Sequence, residues 1–308
     1  MIDGLAVVRL ADSDRDDRLV ACQAGGGAAP NLLSTDNPAR APRCSKVAKV
    51  ESAKSESGAV SPRSTMRSLE RALDVLAVLQ RHRRPLRLTE VARDAELHLA
   101  TAQRILNALA RSGYVQQVNS GYTLGITSLL NAHAFLVSDE LSLIARPVLQ
   151  ELSTTSGLTA SLSVRVAWSQ VLLVRIEGAR PLRYQLPVGE QLSLHLGGAR
   201  VLAAGLRPDE LTELIDSLGE IRLASGDILS GDEFRAALDL IRAQGYAAGV
   251  SQRELGAASV AVPVYGREGL LRAALQLSGR ADDFEPTKLG GYVAELTRAS
   301  AAITRRIP

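Results

Sequence analysis

The 308-residue chain is 46% apolar, enough to core two compact domains, which excludes a wholly disordered protein. Both cysteines, Cys22 and Cys44, lie ahead of the periodic part of the sequence, which excludes a disulfide scaffold and fits a reducing compartment. Charges from Asp3 onward exclude a signal peptide, and no uncharged apolar run reaches membrane-spanning length. The expected location is the cytoplasm, with no membrane partner.

The net charge of +3 is unevenly spread. Residues 1–65 carry nine basic against eight acidic residues, 128–308 eighteen against twenty, and 66–127 nine against five. All nine cations of the middle segment are arginine, the side chain best matched to phosphate and guanine. On charge alone, a solvated helical surface is the competing reading.

Residues 1–63, with AGGGAAPN and SAKSESGAVSP, have no sustained period and read as a disordered extension. A second reading has the natural product begin near Met66. From there Leu69, Ala72, Leu73, Leu76 and Leu79 mark one face of a helix. Pro85 breaks the chain, Thr89 is the expected N-cap with Glu90 in the first turn, and Val91, Ala92 and Ala95 continue a second helix. After a tight connection at 96–98, a third helix buries Ala102, Ile105, Leu106 and Leu109 and stops at Gly113. Tyr114, Val115 and Val118, a turn at 119–121, and Tyr122, Thr123 and Leu124 then give a β-hairpin signal. Three short helices and a hairpin predict a winged helix-turn-helix over 64–126, its third helix entering a major groove of double-stranded DNA.

The outward face of that helix carries Thr101, Gln103, Arg104 and Asn107. Gln103 can pair with adenine, Arg104 with guanine or phosphate, and Thr101 can meet a thymine methyl. Arg104 bracing the helix on the DNA backbone is the alternative. Phosphate contacts are expected from Arg67, Arg87 and Arg111.

A helical linker is predicted over 127–140, followed by a helix with Leu141, Ile144, Ala145, Val148, Leu149 and Leu152 on one face and a kink at Pro147. Two antiparallel strands are expected in TASLSVRV and VLLVRI, and a third over 182–188. LHLGGARVLAAG and PDELTELIDSLG read as helical, and a capping box from Ser230 to Glu233 opens a helix that ends at Gly245. Strands follow over 259–265 and 270–277, then a last helix with Leu289, Val293, Leu296 and Ile303. This predicts an α+β domain with a mainly antiparallel sheet over 141–308.

Three stretches resemble the IclR-type (isocitrate lyase regulator) family of bacterial transcriptional regulators over about 66–305. The first is RSLERALDVLAVL with LTEVARDAELHLATAQRILNALARSGYV and GYTLG. The second is VGEQLSLHLGGARVLAAGL, and the third RAQGYAAGVSQRELGAASVAVPVYGREGLLRAALQLSG. The resemblance implies a GAF-like effector-binding domain, a homodimer or homotetramer, and promoter DNA binding under allosteric control. It places a small-molecule effector among Leu192, His195, Gly198, Ala199, Gly249, Ser259, Gln276 and Ser278. There are departures. Gly249 stands where family pockets carry an acid, Gln276 and Ser278 replace paired serines, and Arg200 replaces a lysine after a loop one residue short.

Free backbone N–H groups at Gly197 and Gly198, ahead of a helical pattern, suggest an organic acid. The pair can equally be a tight turn. His195 can bond a ligand or serve the core. Gln276 and Ser278 share a strand face by the two-residue period and project into a cavity or bond internally. Four scattered histidines (82, 98, 133, 195) have no metal spacing, and no nucleophile-elbow or phosphate-loop motif occurs, so no enzyme activity, cofactor or metal is expected. The function expected is an effector-controlled, sequence-specific regulator. Its rival is a metabolite-binding sensor or scaffold that reads no operator.

Overall fold

The computed structural model describes residues 63–179, 186–284 and 286–307. The expectations for the N-terminal extension, its cysteines and most of the predicted strand at 182–188 lie outside those residues. No described helix is long and apolar enough to cross a membrane, and no described cluster of His, Cys, Asp or Glu could hold a metal ion.

The N-terminal part contains α1 (Arg63–Arg81), α2 (Leu88–Asp94), α3 (Leu99–Arg111) and a hairpin of β1 (Val115–Val118) and β2 (Gly121–Leu124). Val75, Val78 and Leu79 of α1 pack with Leu86, Val91, Leu106, Val115 and Tyr122 in one small core. Each such side chain contributes about 1.5–3 kcal/mol by leaving water. The buried stripe of α1 therefore differs from the one expected. Leu69 and Leu73 are each 57% exposed, because only the C-terminal half of α1 meets α3 and β2. The start of α2 also differs. Leu86 exchanges backbone hydrogen bonds with Tyr122 (2.9 and 2.7 Å), so the chain stays extended through Arg87 and the helix opens at Leu88. Thr89 lies inside the helix, and the Glu90 carboxylate reaches back to accept from the Arg87 N–H at 2.8 Å.

Next come α4 (Ile126–Ser138), which buries no residue, and α5 (Glu140–Ser156), opened by Asp139 accepting from the Ser142 N–H and continuing across Pro147. The C-terminal sheet comprises β3 (Thr159–Val166), β4 (Ser169–Ile176), β5 (Gln191–Ser193), β8 (Ala247–Val250), β9 (Ala257–Tyr265) and β10 (Leu271–Arg280). The order is β5-β4-β3-β10-β9-β8, every pair antiparallel. Residues 186–188 are not strand; the short third strand is Gln191–Ser193, which pairs with β4. β8 was not anticipated, because AAGV carries no alternation.

Between β5 and β8 lie a one-turn 3-10 segment (Gly197–Ala199), α6 (Arg200–Ala204), α7 (Pro208–Leu218), a two-stranded ribbon of β6 (Ile221–Arg222) and β7 (Ile228–Leu229), and α8 (Gly231–Gln244). Ser230 and Glu233 form the expected capping box on α8. The last helix is α9 (Pro286–Thr304). One sheet face, with Leu162, Val260, Val262, Leu275 and Leu277, packs on α5 and α9. The opposite face meets α6–α8 through Ala247, Ala261 and Ala274, around the fully buried Phe234.

Candidate functional sites

In the winged domain, α3 gathers five of the seven residues expected to contact DNA. Arg104, Asn107 and Arg111 are exposed, whereas Thr101 and Gln103 are half-buried. The Gln103 amide nitrogen donates to Asn107 Oδ1 (2.9 Å) and Tyr122 Oη (3.1 Å), so this side chain also ties the helix to the hairpin. Arg87 lines a shallow groove with Arg84 and the hairpin tip at Asn119, Ser120 and Gly121. Arg67, on the N-terminal half of α1, is not part of that groove.

The arginines divide into two sets. Arg84 pairs with Glu90 (2.6 Å), Arg93 with Asp94 (2.9 Å) and Arg83 with Glu190. The Arg84 hydrogen bond, reinforced by the Arg87 N–H, holds the Glu90 carboxyl down at about 2. Arg67, Arg87, Arg104 and Arg111 enter no ion pair among the described residues, which leaves their charge for a polyanion.

The second site follows from strand register. Each strand gives alternate residues to each face, and β3 alternates Thr159, Ser161 and Ser163 with Ala160 and Leu162, all buried. Register aligns Arg175, Ser161, Gln276 and Ala261 in one row across four strands. Thr159, Ser278, Ser259 and Gly249 form the next row. A polar sheet face is ordinarily solvated, but this one is roofed by the 3-10 turn and the loop after β8, which leaves a small cavity with an open mouth. Leu192, Gly198, Gly249, Ser259, Gln276 and Ser278, all expected at an effector site, line it.

Two others do not. Ala199 is fully buried in the apolar cluster that α6–α8 form with Ala247, Ala261 and Ala274 of the sheet, outside the cavity lining. His195 lies between the buried Leu194 and Leu196, outside the lining. Burial, aided by the Arg253 charge, holds its imidazole at about 4, so it is neutral at pH 7.

The backbone cradle expected at the glycine pair is also altered. The Gly197 N–H already donates to Gln252 Oε1 at 2.9 Å. Gly198 serves close approach: a Cβ there would come within 2.8 Å of Ala261 Cβ and 2.1 Å of Gln276 Oε1. At Gly249 the space an acidic side chain would take is filled by Gln252, whose amide lies 2.4–2.7 Å from where a Cβ would stand. Arg200, which is buried, donates to the carbonyls of Ala248 (2.8 Å) and Gly197 (3.4 Å), and burial lowers it to about 10, so it stays charged at neutral pH. Arg253 donates to the carbonyls of Ser193 (3.1 Å) and Leu196 (2.9 Å), holding the roof to β5.

The lining residues that escaped the sequence reading include the polar Ser161, Ser163, Gln170, Arg175, Gln252, Arg253 and Glu254. The signal available was the serine alternation in TASLSVRV, which by itself reads as a solvent face.

A winged helix-turn-helix joined to a domain with a roofed polar cavity defines the class of a DNA-binding regulator. The helix-turn-helix model of the IclR family matches residues 68–119, and the model for the C-terminal domain of bacterial IclR transcriptional regulators matches 133–305. The chain belongs to the IclR family of bacterial transcriptional regulators. It is 30% identical over 242 residues to the HTH-type transcriptional regulator BhcR of Paracoccus denitrificans, covering 76% of this chain and 85% of that protein. It is 28% identical over 245 residues to the regulator XynR of Escherichia coli, covering 79% and 97%. Among solved structures, an IclR homologue from Microbacterium hydrocarbonoxydans complexed with 4-hydroxybenzoate shares the fold (TM-score 0.64, 21% identity, 78% and 98% covered).

Proposed function

We propose that this regulator binds promoter DNA as a homo-oligomer and that a small organic acid in the serine-floored cavity sets its DNA affinity. The observation that carries the reading is a buried polar sheet face in one domain, beside a winged domain whose α3 presents exposed Arg104, Asn107 and Arg111. Buried hydroxyl and amide groups are costly unless bonded, and a ligand with matching polar atoms supplies partners that a sealed protein interior would not. The 4-hydroxybenzoate held by the Microbacterium homologue supports an aromatic acid as the first class to try.

Self-association is supported by apolar surface that a single chain leaves exposed. Met66, Leu69 and Leu73 of α1 and Ile126, Leu129, Leu130 and Phe135 of α4 are each at least half exposed, and a second copy is the proposed cover. A two-fold arrangement would present two α3 helices to two half-sites, and an effector would act by favouring one spacing.

The test is a thermal-shift screen of small aliphatic and aromatic acids on the full chain, followed by titration of labelled operator DNA with and without the best acid. A ligand of the native state raises the melting temperature by mass action, so a saturating acid should shift it by several degrees and change operator affinity. Shifts from polyols and neutral aromatics, with none from acids, would contradict the reading.

A further inference from the structure

Taking the cavity as the effector site, its strongest unassigned feature is Arg175. The side chain stands on β4 at the head of the row Arg175, Ser161, Gln276, is 10% exposed, and lines the cavity. Its Nε and Nη2 atoms are buried and have no hydrogen-bond partner. These two nitrogens form one edge of the guanidinium, where two N–H bonds run parallel at the spacing of the two oxygens of a carboxylate. A buried guanidinium with an unmet edge is costly, and burial lowers its pKa from the ordinary value.

The nearest acid is Glu177, whose Oε1 lies 3.8 Å from Arg175 Nε, close enough for Coulombic attraction and too far for a hydrogen bond. Glu177 is 45% exposed at the end of β4, so it balances the charge without closing the edge. The other charged residues around the cavity are Arg253, which holds the roof carbonyls, and Glu254, which is exposed. With the Gly197 N–H already taken by Gln252, the anion-recognising group moves from the backbone turn to the β4 edge of the lining.

We infer that Arg175 is the acid anchor and specificity residue of this cavity. A monocarboxylate seats both oxygens on the Nε and Nη2 edge, and its remaining polar atoms meet Ser161 and Gln276 on the floor, where Ser163 already donates to Gln170 Oε1 at 3.0 Å. Glu177 competes with the ligand carboxylate for the same guanidinium, so removing its charge strengthens acid binding. A purely structural arginine would give the opposite result or none.

The experiment uses the full chain with benzoate, 4-hydroxybenzoate, pyruvate and 4-hydroxybenzamide as probes, ranked by thermal shift and measured by calorimetry. On the wild type, 4-hydroxybenzoate is expected to bind at least about tenfold tighter than its neutral amide, the loss typical of a charge-assisted pair. Arg175→Gln should weaken acid binding by a similar factor and abolish the acid-to-amide preference. Arg175→Lys, which keeps charge but not the fork, should fall between. Glu177→Gln should bind the acid several-fold tighter with the amide unchanged.

Circular dichroism and ligand-free DNA binding check that each variant is folded. If Arg175→Gln does not fold, Glu177→Gln decides, and unchanged acid affinity there overturns the assignment. A folded Arg175→Gln that keeps acid affinity and preference also overturns it while leaving an acid effector standing. If no acid binds the wild type, the effector reading fails, and this assignment with it.

Discussion

The two functional surfaces place their polar residues in opposite environments. On α3 they face water, where Arg104 and Arg111 have no ion-pair partner among the described residues; in the cavity Ser161, Ser163, Gln170 and Ser278 are buried beneath a roof. An exposed polar face on a helix gains nothing from the fold, so its side chains are available to a large partner that brings its own charge. A buried polar face carries an energetic cost that only internal hydrogen bonds or a fitted ligand offset. On the proposed function, the first surface serves affinity through charge and the second discrimination through shape and pairing.

The largest effect should come from the helix. Replacing both Gln103 and Arg104 by alanine should weaken binding to a selected operator by roughly 100-fold relative to random DNA, since a good base contact is worth about 1–3 kcal/mol. Electrophoretic mobility shift on both duplexes is the check. Melting should change modestly, through the lost Gln103 bond to Tyr122. Wild-type affinity should also fall steeply with salt.

Next is Gly198→Ala in the cavity. The added Cβ meets Ala261 Cβ, which belongs to a strand and cannot step aside, so about 1–3 kcal/mol of stability and the acid-induced thermal shift should be lost together. Scanning calorimetry with and without acid reads both. A variant with unchanged ligand response would detach the 3-10 turn from the site.

Acidification should separate the two regions. His195 is held near 4 in the folded chain against 6.5 when free, so the unfolded chain binds the extra proton, and effector-domain stability falls as pH drops from about 6.5 toward 4. Glu90 is held near 2 against 4.5, so the winged domain loses its contribution only as pH falls from about 4.5 toward 2. Trp168, the chain's single tryptophan, lies beside the α6–α8 cluster and reports the effector domain alone. Its fluorescence melts should decline across the upper window, and His195→Gln should flatten that decline.

The smallest effect is expected at Arg83 and Glu190, an ion pair between the loop before α2 and the residue preceding β5. Glu190→Gln should alter stability by less than about 1 kcal/mol, as for other exposed pairs. Ligand-free operator affinity should stay constant while its response to acid shifts by a few-fold.

Legibility in the sequence followed the same division. The reading helix was visible because Ala102 and Leu106 recur at helical spacing and Arg104 and Asn107 fall opposite, a pattern independent of distant contacts. The stripe on α1 was misplaced because period alone cannot tell which apolar face meets the domain; Val75 and Val78 are buried and Leu69 and Leu73 are not. Thr89 had the right chemistry for a cap, but the bridge from Leu86 to Tyr122 moved the helix start. In the cavity, Ser259 follows from family resemblance alone, whereas the glycine pair and the shared face of Gln276 and Ser278 are also legible in local pattern. Arg175 and the β3 serines needed strand register and a roof, both set by residues far away in sequence.

Control of DNA binding by occupancy of the buried cavity is read out by fluorescence anisotropy of a labelled operator duplex titrated with the full chain, at zero and at saturating concentration of the acid that most raises the melting temperature. At least a fivefold difference in Kd between the two titrations is expected, with Arg175→Gln needing about tenfold more acid to reach it. Identical titrations at an acid concentration that demonstrably stabilises the protein would contradict such control.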